Sequence, residues 1–294
     1  ASRPALPQLR ERYSGAGAPG PFASPPAVEH MVPGLRGGPP VKVYVVNADP
    51  GRTRPAVLHF HGGGLISGAA RANLRSNQHL ASAHDIVVVS VDYRLAPETP
   101  YPGPVEDGYA ALLWVLSKAG ELGVDPRRIA VKGESAGGGL AALVALAARD
   151  RREANLCAQL LIYPMLDDRT GARGNAVRPL PYLWTPEANQ IGWAAFLGAT
   201  RGRDRLSRAV PARVQDLSGL PPTFIGVGAI DLFARENVAY AGRLIDAGVA
   251  TELLVLPGAF HAFDELAPQT QPAKVFKAAW TRAMRRAFEL PPQD

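Results

Sequence analysis

Short apolar runs rich in β-branched residues recur along the chain at 41–46 (VKVYVV), 56–60 (AVLHF), 86–91 (IVVVSV), 129–133 (IAVKG), 158–163 (AQLLIY), 223–228 (TFIGVG) and 251–256 (TELLVL). Most are continuous rather than alternating, the pattern of parallel strands covered on both faces. Between them lie stretches with helical spacing at 104–119, after Ser135, at 235–247 and at 273–290. Strand alternating with helix predicts a doubly wound α/β sheet in one domain spanning 1–294.

Two segments break the alternation. Nine prolines and six glycines in the first 40 residues leave little room for regular structure and predict an irregular arm. Between Tyr163 and Thr223 lie about sixty residues without a convincing strand, holding a helix that should start at the Thr185-Pro186 cap. An insertion of that length in a compact sheet is more often functional than idle. The arm and the insertion, about 1–40 and 168–215, are expected to form a lid.

The chain carries a net charge of +6, which raises the question of nucleic acid. The arginines answer it: they are scattered, and the short clusters at 149–152 and 201–208 each include an acid, so solvated surface charge is expected. The apolar run at 140–148 is far shorter than the roughly 20 residues that cross a bilayer, so no membrane association is expected. The N-terminal ASRPALPQLRERY lacks the apolar stretch of a secretion signal, and Cys157 is alone; both favour a reducing, cytoplasmic setting.

Candidate chemistry concentrates at 131–140, VKGESAGGGL. Gly133-Glu134-Ser135-Ala136-Gly137 fits the G-x-S-x-G nucleophile elbow, with a strand before it and an apolar helix after it, and that context makes the short pattern meaningful. Gly137, Gly138 and Gly139 are poor helix formers, each costing roughly 1 kcal/mol against alanine in a helix interior, so something must need the space. The neighbouring loop HFHGGGLISG (59–68) follows a strand and offers bare amides. The N–H groups of Gly63, Gly64 and Ala136 are the expected donors to an oxyanion. His59 and His61 share a strand face, but no third ligand accompanies them, so no metal is expected; His61 is better explained as support for the glycine loop. Of six histidines only His261 follows Ser135, giving the order serine, acid, histidine. Asp231, Asp167 and Asp168 all lie just past strands; Asp231 is favoured because the next strand leads to His261.

Taken together, HGGG (61–64), DYRLAPE (92–98), GESAGG (133–138), LIYPMLD (161–167), DLSGLPPTFIGVGAIDLF (216–233) and GAFHAFD (258–264) resemble the bacterial hormone-sensitive-lipase-like carboxylesterases over nearly the whole chain. The resemblance implies an α/β-hydrolase fold with a mostly parallel sheet of about eight strands, helices on both faces and a helical cap. It also implies Ser135 as nucleophile, His261 as base, Asp231 as its partner, short- to medium-chain ester substrates, no cofactor, and a homodimer as a possible state. Two positions depart from the family: Glu134 where aspartate is commoner, and Ala262 where glycine is common. Trp184, Ile191, Trp193 and Phe196 are candidates to line the substrate pocket, or else the buried face of the inserted helix. An amidase or arylformamidase using the same triad remains open, as does a ligand receptor on the same fold, against which His261 argues.

Overall fold

The computed structural model describes residues 6–13, 18, 20–172, 183–200 and 202–291. In chain order its elements are α1 (Leu6–Tyr13), β1 (Ala27–Val32), β2 (Val41–Val46), β3 (Arg54–Phe60), α2 (Leu74–His84), β4 (Val87–Asp92), α3 (Gly103–Ser117), α4 (Ala119–Leu122), β5 (Val124–Glu134) and α5 (Ala136–Arg151). They continue with β6 (Ala158–Ile162), α6 (Pro186–Leu197), α7 (Arg203–Ala209), β7 (Thr223–Gly228), α8 (Ala234–Asp246), β8 (Thr251–Leu256), α9 (Phe263–Leu266) and α10 (Gln271–Ala287).

The eight strands form one sheet in the order β1-β2-β4-β3-β5-β6-β7-β8. β1 and β4 both pair antiparallel with β2, and every pairing from β4 to β8 is parallel. The continuous apolar runs are the central strands: β3, β6 and β7 are buried at every position. Both faces are covered. α3, α5 and α8 bury their apolar sides on one core, and α2 and α10 on the other.

Two features differ from the sequence pattern. The first 40 residues are not wholly irregular: α1 seats Leu9 in the core, and β1 extends the sheet with Ala27 opposite Val46. β1 occupies the proline-free interval between Pro26 and Pro33, where backbone donors are available for an edge ladder. α2 had no hydrophobic signature because two of its inward positions are Asn77 and Gln78, which bury by hydrogen bonding, Gln78 to the backbone of Phe22 and Pro25. Within the insertion, Thr185 caps α6 by accepting from the Ala188 N–H. The rest of the lid segment, 173–182 and residue 201, and positions 1–5, 14–17 and 19 of the arm lie outside the described residues. Among the described residues no helix is long and apolar enough to cross a membrane.

Candidate active site

All parallel strands deliver their carboxyl ends to one edge, and the chemistry-bearing loops sit there. β5 ends at Glu134, and Ser135 takes φ 56° and ψ −119° before α5 begins. A side chain pays for that backbone, which persists only where its surroundings over-determine it. Here the Ser135 N–H donates to Ile162 O, and the Ser135 carbonyl accepts from Met165 and Gly139. The sharp bend also presses α5 against the end of β3: a Cβ on Gly137 would stand 2.1 Å from Phe60 O, and one on Gly139 2.1 Å from Met165 O. The glycines are what let the helix come this close.

His261, delivered by the loop after β8, places Nε2 2.9 Å from Ser135 Oγ and Nδ1 2.8 Å from Asp231 Oδ2. The Asp231 side chain is fully buried, and its other oxygen accepts from the Phe233 N–H. A carboxylate facing Nδ1 keeps the ring proton there and leaves Nε2 free to accept from the serine hydroxyl. Tyr163 and Phe233 meet the imidazole edge to face at 4.9 and 5.2 Å, fixing the ring plane. Asp167 and Asp168 turn elsewhere, to Arg169 and Arg213. Ala262 sits in the left-handed region at φ 56°, which explains why glycine is common there.

Gly63 and Gly64 have φ of 118° and 64°. Their loop turns tightly, the Gly63 carbonyl accepting from Ile66 and Ser67. His61 stacks on Tyr93 at 4.2 Å, bonds Gly62 O through Nδ1, and receives the Tyr93 hydroxyl on its own carbonyl. Burial lowers its pKa to about 4, only partly offset by the bond to Gly62, so it stays neutral at physiological pH. On the outer side of the loop, Arg10 of α1 bonds Ile66 O, Ala96 O and Glu98. Among the described residues the N–H groups of Gly63, Gly64 and Ala136 have no acceptor, and a Cβ on the adjoining Gly62 would lie 3.5 Å from Ser135 Cβ. Unpaired donors beside a nucleophile are expensive unless a ligand uses them.

Behind the elbow, Glu134 is held between Lys132 and His59. Burial alone would raise its carboxyl, but these partners hold it well below the usual carboxylate range. His59 bonds Ser90 and Asn77 on its far side, so this histidine belongs to a buried hydrogen-bond network. Among the described residues no group of three or more His, Cys, Asp or Glu side chains is placed to hold a metal ion.

Ser135 and His261 open on a cavity of about 270 Å³ that Gly64, Leu183 and Trp184 also line. Trp184 closes one side of it so tightly that a Cβ on Gly64 would strike the indole at 2.1 Å. The indole is held by Asn189, which in turn bonds Thr170 O. Ile191, Trp193 and Phe196 do not line this cavity. They pack into the core beneath α6, the buried-face alternative of the sequence pattern. Tyr93 and Tyr163 carried no role in the sequence reading, although both lie within the quoted family motifs.

Comparison with known proteins adds an independent line. Residues 57–265 match the family described as alpha/beta hydrolase fold. Carboxylesterase NlhH of Mycobacterium tuberculosis is 38% identical over 241 residues, 80% of this chain and 74% of that protein. An ethyl acetate hydrolase of Pseudomonas putida is 34% identical over 227 residues, 76% of this chain and 71% of the relative. The solved structure of a bacterial heroin esterase superposes with a TM-score of 0.87 at 38% identity, covering 96% of this chain and 92% of the other.

Proposed function

The chain belongs to the hormone-sensitive-lipase-like carboxylesterases of the alpha/beta hydrolase fold and is a carboxylic ester hydrolase; on that premise we propose that Ser135, His261 and Asp231 form its catalytic triad. The observation that carries the proposal is the chain of contacts from Ser135 Oγ to His261 Nε2 at 2.9 Å and from Nδ1 to Asp231 at 2.8 Å. As Oγ attacks the ester carbonyl carbon, Nε2 takes its proton, and Asp231 stabilises the imidazolium. The carbonyl oxygen becomes an oxyanion and accepts from the N–H groups of Gly63, Gly64 and Ala136, which have no competing acceptor among the described residues. The imidazolium then protonates the departing alcohol, leaving an acyl-serine. Water then attacks the acyl carbon as His261 takes its proton, and the imidazolium returns that proton to Ser135 Oγ as the acyl–Oγ bond breaks and the carboxylic acid leaves.

We read the described parts of the arm and insertion as a cap, with Trp184 as its contact to the substrate. A cavity of about 270 Å³ favours short and medium acyl chains. The receptor alternative needs a missing base and is disfavoured by the hydrogen-bonded His261.

Hydrolysis of p-nitrophenyl esters from acetate to palmitate tests the reading. Activity is expected to peak at or below about eight carbons, and Ser135→Ala should lower kcat by about 10⁴-fold or more. Full activity in that variant refutes the triad. A peak at long chains refutes the substrate range.

A further inference from the structure

The catalytic cavity shares part of its wall with a second space. This second cavity, of about 660 Å³, lies between α2 and α10, and Ala72, Asn73, Glu134 and Glu265 line both. Those four residues are common to both walls, and we read the gap they border as a passage between the two spaces.

Glu134 is partnered by Lys132 and by the His59 ring. Glu265 is not: among the described residues its carboxyl has neither an ion-pair nor a hydrogen-bond partner, and its side chain is open to water. A further carboxylate, that of Asp264, stands in the wall of the second cavity, with the nearly fully buried Tyr163 hydroxyl as its neighbour. The cation nearest this group, Lys132, is committed to Glu134 and to the face of Trp280. On the far walls the titratable side chains are Lys277 of α10 and His79 and His84 of α2.

The direction of departure fixes which part of a substrate meets this passage. His261 Nε2 must touch the leaving oxygen to protonate it, so the alcohol portion lies on the imidazole side. Glu265 is four residues beyond His261 in the chain, on α9. We propose that Glu265 selects esters whose alcohol portion carries a positively charged ammonium group, which its carboxylate pairs as the alcohol extends toward the second cavity. This rests on the esterase reading above.

Enclosure, then the nearby Glu134 and Asp264, push the Glu265 carboxyl up to about 7, against Lys132 and His261, which pull it down. Because the side chain is open to cavity water, the share owed to enclosure is smaller than in a sealed site. A carboxyl that loses its proton near neutrality attracts a cation more strongly as pH rises from 6 to 8.

The test uses acetylcholine and its uncharged isostere 3,3-dimethylbutyl acetate as competitors of p-nitrophenyl acetate hydrolysis, which yields a constant for each whether or not it is turned over. The protein should bind the ammonium ester about three- to fivefold more tightly than the isostere, the size a water-accessible ion pair supports. That ratio should rise between pH 6 and 8 and fall to about one in Glu265→Gln. Scoring a ratio cancels any general loss of activity, any loss of folded protein, and the titration of His261, which both esters share. An equal ratio in the two proteins overturns the proposal, as does a preference for the isostere. Failure of the unaltered protein to hydrolyse p-nitrophenyl acetate sinks the esterase reading instead.

Discussion

Gly137→Ala separates what helix propensity expects from what the tertiary structure expects, because the two differ in sign. In a helix, replacing glycine by alanine usually stabilises by up to about 1 kcal/mol, partly by restricting the unfolded chain. At Gly137 the added Cβ would stand 2.1 Å from Phe60 O and 2.5 Å from His61 O, both main-chain atoms of the β3 end that cannot swing aside. The first turn of α5 would have to retreat by about 1 Å, an overpacking cost of typically 1–3 kcal/mol in a dense interior. The expected net change is a loss of about 1–2 kcal/mol. With a urea m-value of about 3 kcal/mol/M, the unfolding midpoint should fall by roughly 0.3–0.7 M. The same retreat carries the Ala136 N–H away from the oxyanion, and displacements of that size cost about 10²-fold in kcat. Gly242→Ala is the control: this residue is exposed on α8, and a Cβ there meets nothing within 4 Å, so it should gain about 0.5–1 kcal/mol with activity unchanged. Urea titrations of both variants, read alongside p-nitrophenyl acetate kinetics, decide the matter. If Gly137→Ala is as stable as Gly242→Ala, close approach of α5 to β3 is not why glycines stand here.

Asp231→Asn should preserve the fold and lower kcat by about 10⁴-fold, as expected when the imidazole loses its tautomer control, whereas Asp167→Asn should cost less than tenfold; steady-state kinetics of the pair distinguishes the two aspartates. The buried neutral His61 predicts an acid-sensitive stability. Its folded pKa of about 4 lies below the unfolded value near 6.5, so the unfolded chain binds the extra proton first, and stability present above pH 6.5 is lost as pH falls toward 4. The loss should reach about 3 kcal/mol, and His61→Phe, which keeps a ring against Tyr93, should flatten the urea midpoint between pH 6.5 and 5; an unchanged slope refutes it.

Much of this protein is legible from its amino acids alone, and the reason is local. A parallel strand buried on both faces must be apolar at every position, so the runs of β3, β6 and β7 declare themselves. A nucleophile elbow needs small residues at fixed offsets from Ser135, and an oxyanion loop needs bare amides, so both leave signatures within ten residues. Chain order narrowed the base to His261, with no other histidine after the serine. Other features depend on distant partners and left no such trace. α2 is hidden because Asn77 and Gln78 bury through hydrogen bonds to residues 18 or more positions away. β1 exists because β2 offers it an edge. The aspartate that meets His261 among the three, the turning of Trp184 to the cavity while Trp193 and Phe196 enter the core, and the unpaired Glu265 in the walls of two cavities follow from how elements meet. Local geometry is written in neighbouring side chains, but which buried polar group finds a partner, and which is left waiting for a ligand, is decided only when the sheet brings the loops to one edge.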